Sequence, residues 1–334
     1  MSSIFNVDGT AIVREARPVI FDTDWWTDVD DAVAVRVLLW AERAGLVDIV
    51  SVIVNAVNST SASSLSAFLD YEGRGNLCIG LEKDATDYSG TPSYHQTILD
   101  NWTYKKYSSN NDCMDSNDVY IQSLLSLPSG VKADIFSVGY PNALSRLLDA
   151  TNISGNGQSY NTGADLVREK VGTLYMMAGK YPSGTENNFR RSARSRAAGY
   201  NICKNWPTKI VFLGSEIGED VLTGGGLDED DLLYKVIYAH DPSEAVNGRE
   251  AWDNMLVLLG AYADYDAAGY TVVRGVNSVD KSTGTNTFTE NSSGNHYYVV
   301  KKHPDKWYQK QINSILKKEA WPMRDVGLLS YNDK

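Results

Sequence analysis

The chain has 334 residues, of which 31 are Lys or Arg and 42 are Asp or Glu, for a formal net charge of −11. Phosphate backbones are bound by clustered positive charge, and no basic run here is longer than the pairs Arg190-Arg191, Lys301-Lys302 and Lys317-Lys318, which argues against nucleic acid as a partner. A composition that is 43% hydrophobic and 22% charged excludes collagen-like, coiled-coil and wholly disordered classes.

Taken in chain order, short β-branched runs and apolar residues at helical spacing predict a strand at 18–24, a helix at 31–45, a strand at 48–55 and a helix at 61–71. There follow a helix at 118–127, a strand at 133–139, a helix at 143–150, a strand at 173–178, a helix at 195–204 and a strand at 209–214. Helices at 253–265 and 308–317 close the series. Helix 31–45 carries Val33, Val37 and Leu38, then Trp40 and Ala41, and Gly45 ends it. This alternation is the pattern of βα units around a mainly parallel sheet, so the expected fold class is α/β, as a single large domain. Stretches 107–117, 152–163 and 275–294 are rich in small polar residues and read as long surface loops or a hairpin. Gly224-Gly225-Gly226 with the acidic residues up to Asp231 reads as an exposed turn.

No apolar run approaches the roughly 20 residues that span a bilayer. The start, 1–6, lacks the basic and apolar segments of a secretory leader. Cys78, Cys113 and Cys203 are odd in number and lack metal-type spacing, which argues against a disulfide framework or a zinc site. A cytoplasmic location is the expectation.

The densest chemistry lies where the first strand hands over to the first helix. Asp22, Asp24, Asp28, Asp30 and Asp31 place five carboxylates within ten residues. Like charges this close repel unless some are protonated or a cation neutralises them. Oxygen-only ligands suit a hard cation, Ca²⁺ ahead of the stricter octahedral Mg²⁺. Position at the C-terminal end of a strand in an α/β sheet favours a ligand over a solvated helix cap.

Two families begin this way. The haloacid-dehalogenase-like phosphatases end their first strand in Asp-x-Asp-x-Thr/Val; Asp22 and Asp24 fit, but Trp26 stands at the Thr/Val position. From about 17 to 320 the chain resembles the nucleoside hydrolase family more fully, leaving an N-terminal extension over 1–16 and a C-terminal tail over 321–334. Asp22-Thr23-Asp24 and Asp30-Asp31-Ala32 match its opening motif across a longer turn. Val54 to Asn58, Tyr71-Glu72-Gly73-Arg74 with Cys78-Ile79-Gly80, Val138 to Leu144, Met177-Ala178-Gly179 with Glu186-Asn187-Asn188, and Arg249 to Asp253 resemble later segments in the family's order.

The resemblance implies a Rossmann-like nucleoside hydrolase fold and Ca²⁺ held by the carboxylates of Asp24, Asp31 and Asp253 and the main-chain carbonyl of Asn142. Asp24 would also be the general base that deprotonates a Ca²⁺-polarised water for attack on the anomeric carbon. Asp30, Asn58, Glu186 and Asn188 would hold sugar hydroxyls. The late aspartate has a rival in His240-Asp241-Pro242, but Asp253 opens an apolar helix and is preferred. Trp252 would then stack on a purine as it leaves, with Trp25 and Trp26 adding an aromatic wall. The turn from Trp25 to Val29 is expected to intrude on the sugar. His95, His296 and His303 match no catalytic position.

The function so implied is Ca²⁺-dependent hydrolysis of N-glycosidic bonds in ribonucleosides or related ribosyl compounds, with a small-molecule substrate and no nucleic-acid or membrane partner. The family's habit implies a dimer or tetramer. The alternative is an altered relative that binds or hydrolyses another carbohydrate or glycoside.

Overall fold

The computed structural model describes residues 16–319 together with the backbone of residues 3–5 and 11–13. The rest of the expected N-terminal extension, and the tail over 321–334, lie outside the described residues.

Eleven strands form one sheet. They are β1 (Arg17–Thr23), β2 (Val47–Val54), β3 (Ile79–Leu81), β4 (Met114–Asp115), β5 (Ala133–Ser137), β6 (Val171–Met177), β7 (Ser183–Thr185), β8 (Lys209–Leu213), β9 (Tyr270–Val279), β10 (Thr285–Glu290) and β11 (His296–Lys301). Their spatial order is β7-β10-β9-β11-β8-β6-β5-β1-β2-β3-β4. Every pair from β11 to β4 is parallel, and β9, β10 and β7 extend the sheet antiparallel at one edge. The α/β, mainly parallel architecture expected from the alternation is the one found.

β1 is central, with Phe21 level with Val52 of β2 and Phe136 of β5. Val19, Ile20 and Phe21 are fully buried, which is why this strand reads as an unbroken apolar run rather than an alternating one. Helix α1 (Asp30–Arg43) follows it and is buried at every position from Asp30 to Ala41. It packs against α2 (Asp253–Tyr262), which is buried from Asp253 to Ala261. Helices apolar on all sides belong in the interior of a large domain.

The polar exception inside α1 is Arg36, which is fully buried. Its Nε donates to Glu72 at 2.8 Å, and its two terminal nitrogens reach Asp231 at 2.7 and 2.6 Å. Asp231 therefore turns inward from the Gly-rich turn that the sequence placed at the surface. The stretch 275–294 is a sheet hairpin rather than a surface loop, since β9 and β10 run through it. The stretch 152–163 is a separate hairpin of Thr151–Gly155 with Gln158–Thr162. No helix among the described residues is long and apolar enough to cross a membrane.

Candidate functional site

The parallel strands deliver their C-terminal ends to one edge, and the acidic segment lies there. Asp24 is the first residue past β1. In the turn that follows, Trp25 has φ +44°, a backbone region rarely used by a bulky residue. Its N–H donates to Thr23 Oγ1 at 3.0 Å and to Asp31 Oδ1 at 3.3 Å, and the N–H of Trp26 donates to Asp24 Oδ1 at 3.2 Å. The turn is thus laced by the carboxylates it separates.

Its tryptophans point into the protein. Trp25 is fully buried, donates its indole N–H to Ser64 Oγ at 2.9 Å, and lies against Phe68, Tyr94 and His95. Trp26 packs on Tyr88, which in turn stacks on Tyr140. The expected aromatic wall of Trp25 and Trp26 is therefore corrected: both belong to the core, and of residues 25–29 only Asp28 reaches the cavity at this edge.

That cavity has a volume of about 310 Å³, within the range of small-molecule sites. Asp24, Asp28, Asp30 and Asp31 line it from the β1–α1 joint, Val138 from the end of β5, and Met177 from the end of β6. Glu186, Asn188 and Arg190 come from the segment after β7, Arg249 from the two-residue strand Arg249–Glu250, and Trp252 and Asp253 from the start of α2. One oxygen each of Asp30, Asp31 and Asp253 lies within 4.8 Å of the others, and all three residues are buried. The Asp24 carboxylate lies close enough to Asp31 to repel its charge. The N-termini of α1 and α2 both open onto this cluster, so their dipoles favour the negative charge gathered there.

Burial pushes Asp24 up to about 7, with Asp30 and Asp28 adding repulsion. Burial first, and then mutual repulsion, hold Asp30, Asp31 and Asp253 well above the ordinary carboxylate range. Asp28 is the exception: burial opposes its charge, but hydrogen bonds and the charge of Arg249 outweigh this and lower its pKa. Arg249 reaches Asp28 at 3.0 and 2.6 Å, Glu244 at 3.0 Å and Glu250 at 2.7 Å, so its charge is consumed locally. The remaining carboxylates form an oxygen-only, buried and uncompensated donor set. Oxygens at roughly 2.3–2.6 Å from one Ca²⁺ lie within about 5 Å of each other, so the set fits a hard divalent cation.

Glu186 caps the short helix Asn187–Arg190. It accepts from the N–H of Asn188 at 2.6 Å and from that of Gly179 at 2.9 Å, and burial pushes it up to about 7. Asn188 donates to the carbonyls of Met177 at 2.9 Å and Val138 at 3.2 Å. Trp252 is half-buried, its N–H held by the Ser215 carbonyl at 2.8 Å and its ring beneath Arg249.

Two expected residues lie elsewhere. Asn58 accepts from the N–H and hydroxyl of Thr60 in a turn that leads into helix Ser61–Tyr71. Asn142 donates to the Asn55 carbonyl at 2.8 Å, accepts from Tyr88 at 3.0 Å, and lines a different cavity with Glu82 and Arg146. Val138 is the residue from that strand end which lines the acidic cavity; its place directly after β5 was the available signal. Asp241 is exposed and caps helix Pro242–Asn247. Asp22 is fully buried and bonded by Asn55 and Tyr120, which leaves no approach for a phosphate ester to a nucleophile there.

No protein-family model and no curated protein matches the sequence. Solved structures do. A plant nucleoside hydrolase is 15% identical with a TM-score of 0.63, the match covering 90% of this chain and 99% of that one. A purine-preferring ribonucleoside hydrolase from Gardnerella vaginalis is 13% identical with a TM-score of 0.63, covering 90% and 100%. The type III effector protein XopQ, solved in complex with adenosine diphosphate ribose, is 11% identical with a TM-score of 0.60, covering 92% and 94%. The chain has the fold of these proteins.

Proposed function

We propose that the chain hydrolyses the N-glycosidic bond of a ribonucleoside or related ribosyl compound with Ca²⁺ as cofactor. The observation that carries this reading is the convergence of Asp24, Asp30, Asp31 and Asp253, from positions far apart in the sequence, on one cavity at the C-terminal edge of a sheet with the nucleoside hydrolase fold.

Asp24, Asp31 and Asp253 would hold the ion, with Asp30 close enough to join them or to take a sugar hydroxyl. A Ca²⁺ held there would supply neutralising charge and Lewis acidity toward water and sugar oxygens. Asp24 would remove the proton from the water that attacks the anomeric carbon. Positive charge develops on the sugar as the bond to the base breaks, and the neighbouring carboxylates stabilise it. Glu186 and Asn188, fixed by the backbone of Gly179, Met177 and Val138, would orient the sugar ring. Trp252 offers a leaving base an aromatic surface whose orientation Ser215 and Arg249 fix. Asn58 and Asn142 do not line this cavity, whereas Val138, at the strand end before Asn142, does.

The test is release of reducing sugar from inosine, adenosine, uridine and aryl glycosides, with and without Ca²⁺. Release should require the ion and fall by at least about 100-fold in Asp24→Ala; turnover of inosine or adenosine no faster than uridine removes the purine preference. A second reading, a pocket that binds a ribosyl compound without cleaving it, is favoured by the likeness to XopQ. Tight binding by a wild-type protein that releases no sugar would select it.

A further inference from the structure

Residues 190–196 read Arg-Arg-Ser-Ala-Arg-Ser-Arg, four guanidinium groups in seven residues of a chain with net charge −11. The segment follows directly on Glu186 and Asn188. Three of the four arginines are committed. Arg191 donates to the Ser89 carbonyl at 2.6 Å, Arg194 pairs with Asp87 at 2.9 Å, and Arg196 donates to the Arg190 carbonyl at 3.1 Å.

Arg190 is different. It lines the acidic cavity and is exposed. Among the described residues its guanidinium has no ion pair or hydrogen bond. The other cation of the lining, Arg249, is already neutralised by Asp28, Glu244 and Glu250. The cavity therefore joins a strongly negative floor to one uncommitted positive group on its wall.

A neutral nucleoside offers Arg190 only uncharged acceptors, which leave its charge unmatched. An anion is repelled by the carboxylates and gains only beside Arg190, whose planar fork matches the oxygens of a phosphate. We infer that the substrate carries a phosphate or diphosphate on its sugar, held by Arg190. This rests on the ribosyl reading of the cavity and narrows it to phosphorylated ribosyl compounds. With the ring hydroxyls at the acidic floor, the exocyclic oxygen on carbon 5 extends away from it, so that oxygen bears the anionic group.

The experiment compares ribose with ribose 5-phosphate by titration calorimetry on the full chain in CaCl₂. Wild type should bind ribose 5-phosphate at least about tenfold more tightly than ribose. The ratio should fall below about threefold in Arg190→Ala and in high salt, and should be largely kept in Arg190→Lys. Equal binding of the two sugars by wild type overturns the inference, as does a preference that survives Arg190→Ala. Silence toward both sugars overturns it together with the ribosyl reading, an outcome recognisable because ribose itself then fails.

Discussion

Asp31 and Asp253, from opposite ends of the chain, bring carboxylate oxygens within 4.8 Å of each other in a buried site, an arrangement that two bare anions hold only at high cost. Either a proton or a cation must sit among the buried acids.

Calcium should therefore stabilise the fold. At a concentration about 100 times its dissociation constant it adds about 2.7 kcal/mol, which raises the melting temperature by roughly 4 °C. Asp253→Asn should lose this response, yet melt no lower than wild type without the ion, because one repelling charge is gone. A calcium shift that persists in Asp253→Asn would show that the ion sits elsewhere.

Gly139 is the close neighbour that keeps Asp24 in place. A Cβ there would stand 2.3 Å from the Asp24 nitrogen and 2.8 Å from its Cβ. Gly139→Ala should cost about 1–3 kcal/mol through overpacking and push Asp24 off the cavity. Melting and sugar-release assays on the variant should fall together; unchanged values for both would rule out this contact as a constraint.

Arg36 should be among the costliest single residues to lose. Arg36→Ala leaves Glu72 and the inward face of Asp231 without the guanidinium that bonds both, with only Lys318 at 3.8 Å from Glu72, a change worth about 3–5 kcal/mol. Urea unfolding measures it directly, and a loss under about 1 kcal/mol would mean that the ion pair is dispensable.

His95 should give acid sensitivity. Burial lowers it to about 3 in the folded chain, against an ordinary 6.5. The unfolded chain takes up the proton first, so the stability held above pH 6.5 is lost as pH falls toward 3, by at most about 1.4 kcal/mol per unit. In His95→Phe this contribution vanishes, and the stability gap between wild type and variant should shrink steadily from pH 6 to pH 4. A gap independent of pH would contradict the low value.

The frame of the fold was legible because apolar runs such as Val19-Ile20-Phe21 carry their own period and length. The antiparallel edge was legible only as a choice between loop and hairpin, since β9 and β10 bury Asn277 and Asn286. Asn286 bonds both the N–H and the carbonyl of Lys180, and a core asparagine satisfied in this way looks like loop in a linear string. Among the residues that line the acidic cavity, Asp24, Asp30 and Asp31 stood out by their crowding, and Asp253 by a family resemblance and its place at a helix start. Trp25 misled because a positive φ sends its ring inward, and periodicity carries no sign of φ. Arg190 was noted only as half of a basic pair; that it lines the acidic cavity while its neighbours are paired is visible only in the fold.

α1 is fastened twice, by carboxylates at its first turn and by Arg36 a turn and a half further on. The interval between Asp31 and Arg36 thus works as a ruler. One residue inserted or deleted within it would rotate the acids about 100° around the axis relative to their anchor, aiming them into hydrocarbon. Evolutionary drift can lengthen the loops of such a molecule, but this short stretch of helix has a length that is fixed.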